Sequence, residues 1–338
     1  MKILSPVNSA DEVRDLVEAG ANEFYCGFVP PQWLDKYGIC YPLNRRPNMS
    51  LGNIRSLQEL SQIIDYAHNL GVNVNVTINE HYYVDEQYTL LKPIMEELNS
   101  LGVDAFIVAD VGLILTMRKL NLPQKIIVSG EGMVQNVQTA RFYKDLGVSG
   151  IVFPREVTID EIRHIVEQVP DVKYEVYILN ERCRFNGGLC TPTHGVISDQ
   201  NFCDSIKFMQ SFSKIKESNF LPIEEELKLK MNAVYDSLGA TYAIFDKTAI
   251  NWPFDCGCCA IKELIDMRVD SIKIVGRGAP KSYKVAWVKM IKDALTLATD
   301  CDTYDSFREA IIELKGDRER CKLGVGCYYP SPAIKGDE

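Results

Sequence analysis

Eleven of the 338 residues are cysteine, so thiolate chemistry is the first thing this chain offers. The run Cys183-Arg-Phe-Asn-Gly-Gly-Leu-Cys190 sets two thiols either side of a flexible Gly187-Gly188 pair, and Cys203 follows. Asp255-Cys256-Gly257-Cys258-Cys259 supplies three more just before a predicted helix, whose N-terminus favours an anionic sulfur. Thiolates are soft ligands for iron–sulfur clusters or zinc, and either needs several sulfurs brought together on loops. Spacing alone leaves three readings open: a cluster, a structural zinc site, or unrelated buried thiols. Neither the paired short knuckles of a zinc ribbon nor a Cys-x3-Cys-x2-Cys run occurs.

Other candidate groups stand where strands are predicted to end. Glu131 and Glu156, after the fifth and sixth strands, are candidate acid/base groups, and Asp110 closes the fourth strand in the same way. The competing reading of all three is charge at a helix N-terminus. Arg155, Arg182, Arg184 and Arg277 are candidate anion-binding groups, with surface ion pairs as the alternative. His194, close after Cys190, is a candidate ligand or proton carrier. No His-Glu-x-x-His or Gly-x-Ser-x-Gly occurs, which leaves a peptidase reading without the usual zinc or serine machinery. Gly130-Glu-Gly132 lacks the third glycine of a dinucleotide fingerprint.

The elements that must position these groups alternate. Short β-rich runs fall at residues 2–5, 23–26, 73–77, 105–109, 125–129, 150–153, 174–179 and 271–275. Between them, residues 10–18, 57–69, 87–100, 137–146 and 158–168 carry apolar residues at helical spacing. Gly20, Gly71, Gly102 and Gly147 stand where helices should stop. Eight strands in this rhythm predict a (β/α)8 TIM-like barrel with a cysteine-containing insertion after strand 7. The expected organisation is barrel strands 1–7 over 1–182, the insertion over 183–240, barrel closure over 241–300 with an added strand at 241–245, and a polar C-terminal tail over 301–338. A second excursion, 27–53, follows strand 2. Both leave from the rim on which barrel enzymes build active sites.

Composition limits the partners. Lys plus Arg total 37 against 46 for Asp plus Glu, a formal charge of -9 that gives no general attraction to nucleic acid or anionic membrane. No stretch approaches the roughly 18 apolar residues of a membrane span, so the chain is expected in the cytoplasm, where structural disulfides are rare.

The motifs resemble the peptidase U32 family over nearly the whole chain. Glu175-Val-Tyr-Ile-Leu-Asn-Glu-Arg-Cys183 followed by Cys190 is similar to the family signature, an acidic residue leading a strand into two cysteines. Glu23-Phe-Tyr-Cys-Gly-Phe28, Val152-Phe-Pro-Arg-Glu-Val157 and Ser271-Ile-Lys-Ile-Val-Gly-Arg277 resemble its second, sixth and closing strands. The resemblance implies a 4Fe–4S cluster held by Cys183, Cys190, Cys203 and Cys256, with Cys258, Cys259 and Cys40 as competitors for the fourth place. Their places at strand exits make Glu131, Arg155, Glu156 and Arg277 the candidate catalytic residues. The resemblance further implies oxygen-independent hydroxylation of a small molecule or nucleobase, with prephenate as a hydroxyl donor. Two alternatives stay open: a peptidase, and a non-catalytic iron–sulfur subunit that works with a U32 partner. Asn180-Glu181-Arg182 and Val275 depart from the family pattern, which, with the acidic balance, points to a substrate different from that of the RNA-modifying members, a small molecule first, with RNA left open but unsupported by charge. Cys26, Cys301, Cys321 and Cys327 read as packing or surface thiols.

Overall fold

The computed structural model describes residues 1–38, 41–46, 48–180, 187–189, 255–324 and 326–330. The expected insertion, apart from Gly187–Leu189, and the expected strand at 241–245 lie outside these residues. Nine parallel strands form one sheet: β1 (Lys2–Pro6), β2 (Glu23–Phe28), β3 (Asn53–Ile54), β4 (Asn73–Ile78), β5 (Ala105–Val108), β6 (Lys125–Val128), β7 (Gly150–Val152), β8 (Lys173–Leu179) and β9 (Ser271–Ile274). Pairing runs β1-β9-β8-β7-β6-β5-β4-β2-β3, and β1 also pairs with β2. Eight strands therefore close into the expected (β/α)8 barrel, while the two-residue β3 flanks the end of β2. The eight barrel strands fall within two residues of the predicted runs.

Alternation along the strands explains the layering. In β4, Val74, Val76 and Ile78 pack outward into the main core under the helices, while Asn75 and Thr77 take the opposite face. A small separate cluster of Leu4, Tyr25 and Ile107 fills the inside of the barrel. Beside it, Lys273 Nζ donates to Glu175 Oε1 at 2.9 Å and lies 4.2 Å from the Tyr25 ring centre. Both charges are buried, so the pair tolerates loss of neither partner alone.

The helices start where the sequence places caps. Ser56, Asn136 and Thr158 side chains accept from Glu59, Thr139 and Glu161 N–H groups, at 3.1, 2.9 and 3.3 Å. The four predicted stop glycines all have positive φ. Helix Val111–Lys119 escaped the periodicity reading because Val111, Leu113, Ile114, Leu115 and Met117 surround it without a clean stripe.

The region read as a polar tail is folded instead. Helix Tyr304–Lys315 buries Phe307, Ile311 and Ile312, a helical stripe hidden among charges, and helix Arg318–Leu323 follows. The chain then returns to the barrel, where Cys327 pairs with Cys256, and Cys256 with Leu179 beyond it. Tyr328 and Tyr329 are buried there.

Helix Lys281–Asp300 closes the barrel against the first helix, Ala10–Ala19. Lys284, fully buried, donates to both Glu12 oxygens at 2.9 and 2.8 Å and to Asn8 Oδ1 at 2.6 Å. Lys284→Ala leaves the Glu12 carboxylate buried without its cation, and about 3–5 kcal/mol of stability is expected to be lost. Urea unfolding reads this as a lower midpoint that Glu12→Gln in the same chain partly restores; an unchanged midpoint in Lys284→Ala refutes the clasp.

Candidate active site

Polar groups converge where β4, β6, β7 and β9 end. Glu131 sits in the short turn Gly130–Gly132 after β6 and accepts from the Ser129 hydroxyl in a short contact. Asn79, at the exit of β4, donates to Ser129 Oγ at 2.9 Å. Arg155, after β7, stands 3.9 Å from Glu131 Oε1, and its guanidinium carbon lies 4.1 Å from the centre of the Tyr177 ring. Burial pushes the Glu131 carboxyl up, but Arg155, Arg45 and the Ser129 hydroxyl together hold it below the ordinary glutamate value. The Tyr177 phenol is pushed well up, chiefly by burial. Gly130 is required for this approach, since a side-chain carbon there would sit 2.9 Å from the Tyr177 hydroxyl.

A second ionic group seals the same rim. Arg45, from the excursion after β2, donates through Nη1 to both Glu80 oxygens at 2.8 and 3.1 Å, with both side chains buried. Its backbone N–H donates to Asn79 Oδ1 at 3.2 Å. His81 contacts Glu80 through Nδ1 at 3.0 Å and the Gly187 carbonyl through Nε2. It thus ties the exit of β4 to the loop after β8.

Arg277, after β9, crosses the barrel and donates to Thr77 Oγ1 at 2.6 Å. It passes over Gly27, where an added Cβ would lie 2.3 Å from Arg277 Nη1 and 2.2 Å from Asn53 Oδ1. The neighbouring Cys26 thiol is pushed up to about 12 by burial, against the opposing pull of Arg277, so it is not an activated nucleophile.

Of the sequence-predicted groups, Glu131 and Arg155 are brought together, and Arg277 stands at the exit of β9, where it donates to Thr77 Oγ1. Glu156 does not join them, because its side chain is exposed. Asp110 takes the helix N-terminal role: its Oδ1 accepts from Leu113 N and the Tyr88 hydroxyl, each at 2.6 Å. Cys40, Cys183, Cys190, Cys203, Arg182, Arg184 and His194 lie outside the described residues. The two departures from the family pattern touch each other: Asn180, in a left-handed conformation that asparagine tolerates, donates to the Val275 carbonyl at 3.0 Å.

Cys256 follows a carbonyl contact with the end of β8, where Asn180 N donates to Asp255 O at 3.0 Å and Gly257 N to Ile178 O at 2.8 Å. Its sulfur accepts from Cys258 N at 3.4 Å. Cys321 and Cys327, read from sequence as packing thiols, line one cavity with Cys256 and Cys259. Burial, and then the Cys256, Cys327 and Cys321 sulfurs, push Cys259 up to about 12. The spacing Cys256-x2-Cys259 is itself a short knuckle and was the available signal.

Sequence reasoning also missed Arg45, Glu80, Asn79 and Tyr177. Glu80-His81 directly after a strand gave a signal; Arg45 gave none, since its position depends on a loop between elements. Tyr328 was hidden in the supposed tail, yet its ring stacks on Tyr177 at 6.4 Å and its hydroxyl donates to Asn180 O at 2.5 Å.

The model of peptidase family U32 matches residues 8–322. The chain belongs to peptidase family U32. Among its U32 relatives, the 23S rRNA 5-hydroxycytidine C2501 synthase of Escherichia coli (strain K12) is 27% identical over 99% of this chain, which spans 43% of that protein. The tRNA hydroxylation protein P2 of Bacillus subtilis (strain 168) is 26% identical over 92% of this chain and 91% of its own length. A solved structure, the U32 peptidase Mk0906, aligns at 18% identity over 53% of this chain and 68% of its own, with a TM-score of 0.41. Among the described residues no helix is long and apolar enough to cross a membrane.

The Glu131 geometry predicts a pH effect. Its folded-state carboxyl titrates below the ordinary 4.5, so its stabilising contribution is full above about that pH and is lost as pH falls through the folded value. Thermal midpoints measured from neutral to acid pH should fall more steeply for the wild type than for Glu131→Gln; parallel curves would show that the carboxylate is not held by its arginines.

Proposed function

We propose that this U32 chain adds a hydroxyl group to a pyrimidine base in RNA without molecular oxygen. The observation that carries the reading is the rim that holds Glu131 below the ordinary glutamate value beside an arginine lying over the Tyr177 ring, with Arg45 close by. Guanidinium planes and aromatic faces are the groups that hold unstacked bases, and an ionised carboxylate in a dry site suits proton transfer. The relatives named for rRNA and tRNA hydroxylation support the same reaction class.

RNA replaces the small molecule that the acidic composition suggested. A net charge of -9 weakens distant attraction, but local guanidinium groups act at contact distance, where net charge counts less. The reading keeps prephenate as the hydroxyl donor, because Arg155 and Arg277 are suited to carboxylates. A 4Fe–4S cluster would be held by Cys183, Cys190 and Cys203 with a fourth thiolate from the 256–259 segment. Such a cluster supplies one-electron chemistry. Within the chain's own machinery, Arg155 orients the anionic donor or base, Glu131 accepts or returns a proton, and the Arg45–Glu80 pair excludes water.

Nucleoside mass spectrometry of rRNA and tRNA from a deletion strain grown without oxygen is expected to show the loss of one hydroxylated pyrimidine. The wild-type gene should restore it. Arg277→Ala should lower kcat/KM roughly 10- to 100-fold, the effect of losing a charge-assisted hydrogen bond of about 1.5–3 kcal/mol. Unchanged nucleoside profiles, or peptide cleavage that survives complete iron removal, would overturn the reading; modification only after a second U32 chain is added would favour the partner-subunit alternative.

A further inference from the structure

The turn that carries Glu131 has crowded neighbours. Glycine has more backbone freedom than any other residue, and Glu131 stands between two of them, so contacts from outside must set its place. From the barrel wall, a side-chain carbon at Gly130 would meet the Tyr177 hydroxyl at 2.9 Å, and one at Gly132 would overlap Val128 Cγ1. From the loop after β8 comes a second turn, Gly187–Leu189. A Cβ at Gly187 would lie 3.8 Å from Glu131 Cα and from the Gly130 carbonyl oxygen, and one at Gly188 would overlap Met133 Cγ. Met133 is in the left-handed region at φ 56°, a conformation that a bulky residue keeps only where its surroundings hold it.

His81 reaches that second turn. Its backbone N–H and its Nδ1 each contact Glu80 Oε1 at 3.0 Å, which anchors the ring on the buried Arg45–Glu80 pair. Its Nε2 faces the Gly187 carbonyl, an oxygen that can only accept, so Nε2 donates. Two residues earlier, Asn79 donates to Ser129, whose hydroxyl Glu131 accepts. The exit of β4 therefore acts on Glu131 by two routes, through Ser129 on the carboxylate and through Gly187 on the backbone.

We infer that His81 is a positioning residue for Glu131: its hydrogen bond to the Gly187 carbonyl keeps the Gly187–Gly188 turn against the Glu131 turn and so fixes where the carboxylate stands. The effect on turnover rests on the proposed function; the contact between the two turns does not.

The test uses full-length protein purified without oxygen, with kcat and KM measured on unmodified RNA from the deletion strain and hydrogen exchange followed over residues 130–133 and 187–189. His81→Ala should lower kcat about 10- to 100-fold, the scale of a slightly misplaced catalytic group, with KM within about twofold of the wild type. Both turns should exchange faster. His81→Gln, whose amide nitrogen can still donate to Gly187, should recover most of the rate and the wild-type exchange. If His81→Ala does not fold, Gly188→Ala gives a second reading: with His81 intact it should lose the same rate, and Gly188→Ala/Met133→Ala should regain part of it because the overlap is gone. His164→Ala, at an exposed helix position, should match the wild type. Wild-type exchange in His81→Ala, or full activity in Gly188→Ala, would overturn the inference. So would a His81→Gln with wild-type exchange and no better rate than alanine, which would make His81 a proton carrier. RNA left unmodified by the wild type, with exchange still faster in His81→Ala, sinks the proposed function and leaves the contact standing; RNA modified equally by the wild type and His81→Ala does the reverse.

Discussion

A half-buried arginine organises the rim of this barrel. Arg155 is held between the Glu131 carboxylate and the Tyr177 ring, and a guanidinium drawn out of water needs both a counter-charge and a surface for its planar face. Those demands propagate outward. Glu131 needs Ser129, Ser129 needs Asn79, and Asn79 in turn fixes the backbone of Arg45, which carries the Glu80 pair. Tyr177 is also packed against Tyr328, while Tyr329 donates to the Tyr177 carbonyl at 2.8 Å. The last described segment is therefore part of the rim and brings Cys327 to Cys256.

The barrel was legible because its signals are local. Short β-rich runs, helical spacing of apolar residues and glycine stops each act within a few residues, and all eight barrel strands followed from them. The C-terminal helices were misread for a reason of scale: Phe307, Ile311 and Ile312 form a narrow stripe diluted by charges, and only the barrel surface they cover makes them core. Within the site, Glu131, Arg155 and Arg277 were found because strand exits are predictable positions in a barrel. Glu156 was chosen on the same ground, but side chains at consecutive positions leaving a strand point apart, and Arg155 is the one turned inward. Arg45 and the meeting of Cys259 with Cys321 depend on contacts between segments remote in sequence, which no local pattern encodes.

Acidic composition and a cationic rim are compatible because they act over different ranges. Distant charges are screened within about 8–10 Å at ordinary salt, while Arg45, Arg155 and Arg277 are buried or half-buried and act on groups in contact with them. Net charge therefore reports on encounter rate and solubility more than on what the rim holds once a ligand has arrived. The proposed RNA substrate is therefore compatible with the acidic balance.

Pairing of Cys256 with both Leu179 and Cys327 has a consequence for biosynthesis. Chains emerge from the ribosome N-terminus first and fold as units when enough sequence is out. The barrel can close once β9 and its helix have appeared, but residues 255–257 then have a neighbour on one side only. Until the final tyrosines arrive, the nascent protein presents a finished scaffold with an unfinished rim.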